Sequence, residues 1–455
     1  MPEHVVLTGW GRTSPTVSRL VAPDASHVAA AVGTAGRRGC IARGLGRSYG
    51  DAAQNAGGLV LEPLPETVAV ERTGVHPAVR VSAGTSLHTL IRWLLPRGWF
   101  VPVTPGTRYV TVGGAIAADV HGKNHHRDGT FSAHVEELTL VAGDGRLRTV
   151  GPANDPELFW ATAGGMGLTG VITEAVLRVR PVESGYLRVA TERLPDLDSV
   201  MARMLEADRE ASYSVAWIDT VARGRHLGRS VLTTGEHAGL DDLPARLRSR
   251  PWALPGGPRL PAPDPGPVRL VSRPGVRVFN EAWFRKAPRH RTESLQTSAA
   301  FFHPLDGVAG WNRLYGRRGF VQYQLVVPDD AADRLPGLLT RIASSGCPSF
   351  LSVLKRFGPA GSGMLSFPLP GWTLAVDLAA GPRLAGLFAD LDRIVLEAGG
   401  RLYLAKDARM PRWLLEATYP RLEEFRAVRR RVDPRGVFQS DLARRLGLEA
   451  IRGAP

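Results

Sequence analysis

The first stretch whose spacing could do chemistry is ARGLGRSYGDAAQN, residues 42–55. Its three glycines, Gly44, Gly46 and Gly50, allow backbone N–H groups of a turn to approach an anion such as a phosphate. No lysine stands where a Walker loop needs one, and the G-x-G-x-x-x-G spacing is one residue longer than the dinucleotide-binding fingerprint. The pattern indicates a phosphate-binding turn of another fold, with a glycine-rich surface loop as the alternative.

Two more glycine clusters follow this turn. The stretch TPGTRYVTVGGAIAADVHGKNHH, residues 104–126, places Gly113 and Gly114 before a short Ala-rich run, which predicts a helix N-terminus directed at an anion. A third cluster, AGGMGLTG, precedes a strand at residues 171–179. Three such turns at strand–helix junctions predict one long phosphorylated cofactor lying across them.

Lysine is scarce in this chain. Lys123, Lys286, Lys355 and Lys406 are the only lysines among 57 basic residues. A composition that favours arginine elsewhere makes each remaining lysine a candidate for a function that arginine cannot serve. A buried lysine can lose its proton, and it acts as a compact point charge.

Proton-transfer side chains also cluster in HGKNHH, residues 121–126. His121 and Lys123 flank Gly122, and both side-chain types transfer protons in enzymes. His125 and His126 raise the alternative of a metal site, but no cysteine or carboxylate cluster accompanies them in the sequence. We therefore expect no metal.

The elements that must position these residues follow from their periodicity. Apolar positions after Ser86 predict a capped amphipathic helix, and alternation over 319–327 places Gln322 and Gln324 on one strand face. Further patterns predict strands over 78–83, 134–143 and 371–378, and helices over 157–162 and 420–431. Between Pro244 and Pro274 nine prolines fall, too many for a helix or a central strand, so we expect a mobile loop there.

Composition restricts the class of protein. A chain of 455 residues with 44% hydrophobic and 22% charged residues suits two globular domains. No apolar run reaches the roughly 18 residues of a membrane span, and the first residues do not resemble a signal peptide. Two cysteines provide no disulfide framework, so we expect a cytoplasmic protein or one peripheral at the plasma membrane.

The net charge of +14 favours acidic partners, namely a phosphorylated substrate or an anionic membrane surface. Zinc-finger spacing, a basic region with heptads and an RNP-like aromatic motif are all missing from the sequence. We therefore expect no nucleic-acid partner.

Taken together, these segments resemble the FAD-binding fold of the vanillyl-alcohol-oxidase superfamily, and within it the branch of polyprenylphosphoryl ribose oxidases. The resemblance is collinear and spans nearly the whole chain, thinning between about 190 and 300. The stretches that carry it are RGLGRSYGDAAQN, PGTRYVTVGGAIAADVHGKNHH, AGGMGLTGVI, FFHPLDG with WNRLYG, FVQYQL, LSFPLPGW, RLYLAKDAR, and VRRRVDP with VFQSDLARRL.

The resemblance implies an α+β, two-domain fold. Residues 1–183 would form the FAD-binding domain, and 184–400 a substrate domain built on an antiparallel sheet, with the mobile loop near 244–275. Residues 401–455 would return to complete the FAD-binding domain. Many superfamily members bind flavin covalently through a histidine in the first glycine loop. Tyr49 stands in that loop here, so we expect FAD held without a covalent bond.

The resemblance also implies site residues. Lys406, His121 and Tyr49 are the candidate catalytic residues, and a salt bridge to Asp407 is the alternative for Lys406. Cofactor contacts are expected from Arg43, Gly44, Leu45, Gly46, Arg47, Ser48, Tyr49, Asn55, Pro105, Gly106, Thr107, Val112, Gly113, Gly114, Ala117, His121, Gly122, Asn124, His125, Gly165, Gly167, Gly170, Ile172, Tyr403 and Lys406. Substrate contacts are expected from Lys123, Trp217, Tyr315, Gln322, Gln324, Lys355, Phe357, Thr373, Ala375 and Asp377.

The implied reaction is oxidation of the 2′-hydroxyl of a polyprenylphosphoryl ribose to a 2′-keto sugar. A quinone-type electron acceptor and a separate short-chain NADH-dependent keto-reductase would be its partners. Two positions depart from the family pattern, which has Asn where Thr373 stands and Cys where Ala375 stands. They leave open a related sugar or alcohol oxidase of specialised metabolism. A non-catalytic basic binding protein that keeps the fold is the alternative from another class.

Overall fold

The computed structural model describes residues 3–252, 260–263 and 271–448. Its strands fall into two groups along the chain. The first group is β1 (Glu3–Leu7), β2 (Thr16–Val21), β3 (Cys40–Ala42), β4 (Leu59–Leu61), β5 (Val68–Arg72), β6 (Ala78–Ser82), β7 (Trp99–Phe100), β8 (Val135–Val141), β9 (Leu147–Val150), β10 (Val171–Arg178) and β11 (Arg180–Pro181). The second group is β12 (Tyr186–Leu194), β13 (Tyr213–Ile218), β14 (Ser230–His237), β15 (Leu260–Pro261), β16 (Thr292–Thr297), β17 (Val308–Ala309), β18 (Phe320–Pro328), β19 (Ser352–Phe357), β20 (Gly371–Ala379) and β21 (Arg401–Leu402).

The first group forms two principal sheets. One has the order β1-β2-β4-β3, in which β4 runs parallel to both β2 and β3. The other has the order β5-β6-β10-β8-β9 and is antiparallel throughout. The strand predicted over 134–143 is confirmed as β8, and it forms an antiparallel hairpin with β9.

The second group is dominated by one antiparallel sheet. Eight of its strands pair in the order β16-β12-β14-β13-β19-β20-β18-β21. The predicted strands over 319–327 and 371–378 are β18 and β20, and they lie side by side. This mixture of helices and antiparallel sheets confirms the α+β class.

The helices cover the sheet faces and the ends of the glycine-rich turns. They are α1 (Val28–Gly33), α2 (Leu87–Leu94), α3 (Val112–Ala117), α4 (His125–Asp128), α5 (Pro156–Thr162), α6 (Leu197–Glu210), α7 (Ala245–Arg248), α8 (Arg273–Lys286), α9 (Ser298–Phe302), α10 (Leu335–Ser344), α11 (Leu384–Glu397), α12 (Arg412–Thr418), α13 (Leu422–Val432) and α14 (Asp441–Leu446).

Helix α2 shows how local sequence produces these elements. The Ser86 hydroxyl accepts a hydrogen bond from the Thr89 backbone N–H at 3.1 Å, which caps the first turn and is worth about 1 kcal/mol. Every apolar residue of its inner face is buried, as the spacing predicts. Gly98 ends the following turn with a φ of 73°, a conformation that favours glycine.

The C-terminal segment returns to the first glycine-rich turn. Cys40 of β3 pairs with Phe438 in a parallel bridge. The Arg445 guanidinium binds both carboxylate oxygens of Asp51 at 2.7 and 3.0 Å. These contacts join the two ends of the chain beside residues 42–55.

The proline-rich segment is described only in parts. Ala245–Arg248 form a short helix, Leu260–Pro261 pair with β17, and Pro274 occupies the first turn of α8, where proline is tolerated. Residues 253–259 and 264–270, on which the prediction of a mobile loop chiefly rests, lie outside the described residues.

Candidate functional site

A cavity of about 1010 Å³ lies between the glycine-rich turns and the eight-stranded sheet. This volume stands at the upper end of the range for ligand pockets, roughly 300 to 1,000 Å³. All three glycine clusters contribute to the wall, and so do β18, β19 and β20. The cavity is therefore the place where the sequence-predicted residues are brought together.

Most predicted cofactor residues line this cavity. They are Arg43, Gly44, Leu45, Gly46, Arg47, Ser48, Tyr49, Pro105, Gly106, Thr107, Gly113, Gly114, Ala117, His121, Gly122, Gly167, Gly170, Ile172, Tyr403 and Lys406. Of the predicted substrate residues, the wall contains Lys123, Trp217, Gln322, Gln324, Lys355 and Ala375.

Five predicted cofactor residues lie away from the wall. The Asn55 amide donates to three backbone carbonyls, and the Asn124 amide donates to the Pro102 carbonyl at 2.9 Å. The His125 Nδ1 accepts from the Gly358 N–H at 3.2 Å. Val112 and Gly165 are packed inside α3 and a tight turn. These side chains hold the turns in shape rather than face the cavity.

Four predicted substrate residues are buried behind the wall. Tyr315 stacks on Phe320 with centroids 4.3 Å apart. Phe357 packs beneath His121, and Thr373 lies against Gln324 at 3.4 Å. Asp377 is fully buried behind Gln322. These four side chains therefore do not form part of the cavity wall.

The first glycine turn has the properties of an anion-binding site. Gly46 has a φ of 64°, and a Cβ there would lie 2.5 Å from the Arg43 guanidinium. A Cβ on Gly44 would lie 2.4 Å from the Thr111 hydroxyl, so the two glycine turns approach closely. Within the described residues, the backbone N–H groups of 44–48 have no protein acceptor. Such free N–H groups fit the pyrophosphate of FAD.

All four lysines of the chain line the same cavity. Burial and the neighbouring Lys355 lower the pKa of Lys123 to about 7, and burial lowers the pKa of Lys355 to about 8. Lys123 Nζ donates to the Phe301 carbonyl and lies 4.1 Å from the centre of its ring. The cavity thus concentrates amines that can bind an anion or exchange a proton near neutral pH.

Lys406 is not paired with Asp407. The Asp407 carboxylate lies 2.9 Å from Arg445, while Lys406 Nζ lies 3.7 Å from the centroid of the Tyr49 ring. Burial lowers the pKa of Lys406, Asp377 opposes that shift, and Lys355 adds to it. The alternative of a surface salt bridge is therefore wrong, and the amine belongs to the cavity.

Asp377 is the carboxylate that influences this amine. Its Oδ1 accepts from Gln322 Nε2 at 2.5 Å, and among the described residues its Oδ2 has no hydrogen-bond partner. Burial raises the pKa of Asp377, and the Lys406 charge counters that rise. Burial and Asp377 also raise the pKa of Tyr49 well above its usual value. The Tyr49 phenol therefore keeps its proton at neutral pH.

His121 is held as a neutral imidazole. Its ring lies among Phe357, Phe367 and Tyr403, and burial holds its pKa well below the ordinary value. Its Nε2 lies 3.1 Å from Gln324 Nε2, which can only donate there. The proton must then be on Nδ1, which has no partner among the described residues. The Nδ1 atom itself is fully buried beneath the surface of the cavity wall.

Sequence reasoning missed the residues that fasten the second glycine cluster. Asp306 accepts from the Thr107 hydroxyl at 2.6 Å and from the Arg108 N–H at 2.8 Å. The Arg47 guanidinium lies 3.9 Å from the centre of a Trp10 ring. Asp306 belongs to the FFHPLDG motif. This motif contributed to the family resemblance, but no function was predicted for its aspartate.

Two other features bear on the class of site. Within residues 3–252, 260–263 and 271–448, no three His, Cys, Asp or Glu side chains are grouped so as to hold a metal ion. No helix in these ranges is both long enough and apolar enough to span a bilayer.

Comparison with known proteins agrees with this site. The family model described as FAD binding domain matches residues 19–151, and the model of D-arabinono-1,4-lactone oxidase matches residues 378–446. An alditol oxidase of Streptomyces sp. is 24% identical over 97% of this chain and 98% of its own length. A cytokinin dehydrogenase of Oryza sativa is 33% identical over 34% of this chain and 31% of its own length.

The glycine turns have free N–H groups, lie in the region that matches the FAD-binding model, and face an antiparallel sheet. Together these features define an FAD-dependent oxidoreductase of the vanillyl-alcohol-oxidase type. A more similar relative narrows this class. The decaprenylphosphoryl-beta-D-ribose oxidase of Mycolicibacterium smegmatis is 44% identical over 97% of this chain and 97% of its own length. The chain belongs to that family of oxidases.

Proposed function

We propose that this protein is an FAD-dependent oxidase that converts the 2′-hydroxyl of a polyprenylphosphoryl-β-D-ribose to the 2′-keto sugar. The observation that carries the proposal is the convergence of all four lysines on the cavity that the glycine turns enclose. An anionic cofactor and an anionic sugar phosphate both require such a concentration of positive charge. The similarity to a decaprenylphosphoryl ribose oxidase supports this substrate class.

The residues divide between binding and proton transfer. Bound FAD would supply the acceptor for the hydride that leaves the sugar carbon. Lys406, whose lowered pKa allows a neutral amine, takes the hydroxyl proton at Nζ and becomes a cation beside the cofactor site. Tyr49 keeps its proton and packs against this amine. His121 contributes a neutral imidazole to the wall of the same cavity.

The remaining polar wall orients the sugar and its phosphate. Lys355 and Lys123 provide positive charge for the phosphate, and their lysine type suits a point charge. Gln324, fixed between His121 and Thr373, presents its amide to the sugar. Gln322 is oriented by Asp377 in the same way. These contacts exclude water and set the position of the carbon that is oxidised.

The same proposal includes the enzyme that follows this reaction, the electron acceptor, the domain boundaries and the location in the cell. The keto sugar would pass to a separate short-chain NADH-dependent keto-reductase, which completes an epimerisation toward the arabinose donor of cell-wall arabinan. A quinone-type acceptor would reoxidise the flavin. Residues 1–183 and 401–455 would form the FAD-binding domain and 184–400 the substrate domain. The protein would act in the cytoplasm or peripherally at the plasma membrane.

A related sugar or alcohol oxidase is the second candidate. Thr373 and Ala375 stand on β20 where family members carry Asn and Cys, and Ala375 lines the cavity. The alditol oxidase similarity extends over nearly the whole chain. A smaller side chain at 375 would admit a different sugar.

Two measurements test these candidates. Acid precipitation should release all FAD, because the first glycine turn contains no histidine to bond it; flavin retained in the pellet contradicts non-covalent binding. Anaerobic flavin bleaching is then followed with a polyprenylphosphoryl ribose, free ribose and an alditol. Bleaching by the lipid-linked sugar alone supports the first candidate. Bleaching by the alditol or free sugar alone supports the second.

A further inference from the structure

Helix α8, Arg273–Lys286, is attached to the protein by one narrow face. Among its residues only Val276 and Asn280 are buried. The Asn280 amide donates to the Asp219 carboxylate at 2.7 Å, and Glu281 pairs with Arg229 at 2.7 Å. Phe284 packs beneath that arginine at 4.8 Å. These contacts fix the orientation of the helix and therefore the direction of its remaining side chains.

A second face of the helix, beside the buried one, is apolar and partly exposed. We call Val278, Phe279, Ala282 and Trp283 the outer face of α8, since their i, i+4 spacing puts them side by side. Val278 is 70% exposed, Phe279 45% and Trp283 44%. The two aromatic rings stack with centroids 6.1 Å apart. A soluble protein rarely exposes such a continuous patch unless it contacts a partner.

The outer face adjoins the mouth of the cavity. Phe279, Trp283 and Lys286 contribute to the cavity wall as well as to the surface. An apolar chain attached to a ligand in the cavity would therefore leave it across these rings. The face and the site form one continuous surface.

Its surroundings are strongly basic. Residues 273–291 contain six arginines and lysines and one acidic residue, Glu281. Within the described residues, Arg273, Arg277 and Arg289 form no ion pair with a carboxylate. Aromatic and aliphatic side chains bordered by free basic residues match the headgroup region of an anionic bilayer, where the rings enter the acyl boundary and the cations meet phosphates.

We infer that the outer face of α8 docks the protein on an anionic lipid bilayer, so that the cavity mouth opens at the membrane surface. The inference rests on the proposed lipid-linked substrate for its purpose, since such a sugar must be collected from a membrane. The evidence for docking is the composition and exposure of the outer face of α8. Docking by charge and shallow apolar insertion would be reversible and weakened by salt.

The test is sedimentation of the FAD-loaded full chain with vesicles, without substrate. We expect binding to phosphatidylcholine vesicles containing about one third phosphatidylglycerol, and little binding to phosphatidylcholine alone. Val278→Asp should weaken binding about tenfold or more, and Arg277→Glu should weaken it by a similar factor. The matched control is Val75→Asp, because Val75 is 85% exposed in the turn between β5 and β6. It should bind like the unmodified protein.

Three outcomes would overturn the inference: no binding to anionic vesicles, equal binding by Val278→Asp, or a stable dimer abolished by Val278→Asp without vesicle binding. Flavin absorbance and melting temperature verify that each variant is folded. Failure of the docking inference can be distinguished from failure of the substrate proposal. Vesicle binding needs no substrate, and flavin bleaching by a water-soluble short-chain ribosyl phosphate needs no vesicle.

Discussion

Lys406 Nζ lies 3.7 Å from the centroid of the Tyr49 ring. Tyr49 ends the first glycine turn and Lys406 belongs to the returning C-terminal segment, so the contact joins two distant parts of the chain. The Tyr49 N–H donates to the Ala405 carbonyl at 3.0 Å, which fixes the two backbones. The position of the amine therefore depends on the conformation of the anion-binding turn. Tyr49 orients the amine and stabilises its protonated form through the ring face.

The conformation of the first turn predicts that Gly46→Val yields protein without FAD. A side chain at this φ of 64° is strained, and its Cβ would displace the Arg43 guanidinium, which holds the Thr8 and Ala53 carbonyls at 2.7 and 2.9 Å. The flavin content after purification measures the effect. Gly33→Val is the matched control, because nothing lies within 4 Å of a Cβ there. Full flavin content in Gly46→Val would show that the turn does not hold the cofactor.

The position of Ala375 predicts a new reactive site in Ala375→Cys. A thiol there would face the cavity, where the lysines lower its pKa and favour the thiolate. A small maleimide should modify it and stop flavin reduction. The unmodified protein should keep its flavin reduction, because Cys40 is buried with its pKa raised to about 12 and the half-buried Cys347 lies outside the cavity wall. Thr373→Cys, buried behind Gln324, should react far more slowly. Equal labelling at both positions would contradict the register of β20.

The charge of Asp377 predicts a shift in pH dependence. A base must be neutral to accept a proton, so flavin reduction should rise with pH through the pKa of Lys406. Asp377 raises that pKa, and Lys355 lowers it. Asp377→Asn keeps the oxygen that accepts from Gln322 but removes the charge, so the rise should move about one pH unit or more toward acid.

The check is the pH profile of substrate-driven flavin reduction in both proteins, with flavin content measured at each pH. Asp329→Asn alters an exposed carboxylate that pairs with Arg356 and should leave the profile unchanged. A profile that stays in place in Asp377→Asn would mean that another group, such as Lys355 or Lys123, controls it.

Local patterns predicted much of this fold because they depend on neighbours in the sequence. The Ser86 cap and the apolar face of α2 are examples. The glycine turns were also recognisable, because three such clusters occur together, although one alone would also fit a surface loop. Long-range packing could not be predicted from periodicity. From the sequence, Asn55 and Asn124 are predicted to contact a ligand. Only the folded chain shows that their side-chain amides donate hydrogen bonds to backbone carbonyls.

The scarcity of lysine was the more informative signal, since it identified side chains far apart in sequence that one cavity brings together. Their roles within it depend on register. Lys355 lies opposite Thr373, and Gln322 opposite Asp377, because β18, β19 and β20 pair as they do. A shift of one residue would turn each side chain to the other face. No feature of the sequence alone fixes that alignment.

The role of Lys406 gives the sharpest prediction. Lys406→Ala should fold and retain FAD, because the amine makes no ion pair within 4 Å among the described residues. Its rate of flavin reduction should fall about 10²-fold or more. Lys406→Arg should restore little, because guanidinium keeps its proton and does not fit a point-charge site. Stopped-flow reduction under anaerobic conditions measures the rate, with flavin content and melting temperature determined for each variant. A near-normal rate in Lys406→Ala would exclude this amine as the base. The proton would then have to pass to His121 or through Tyr49, the other polar groups of the same wall.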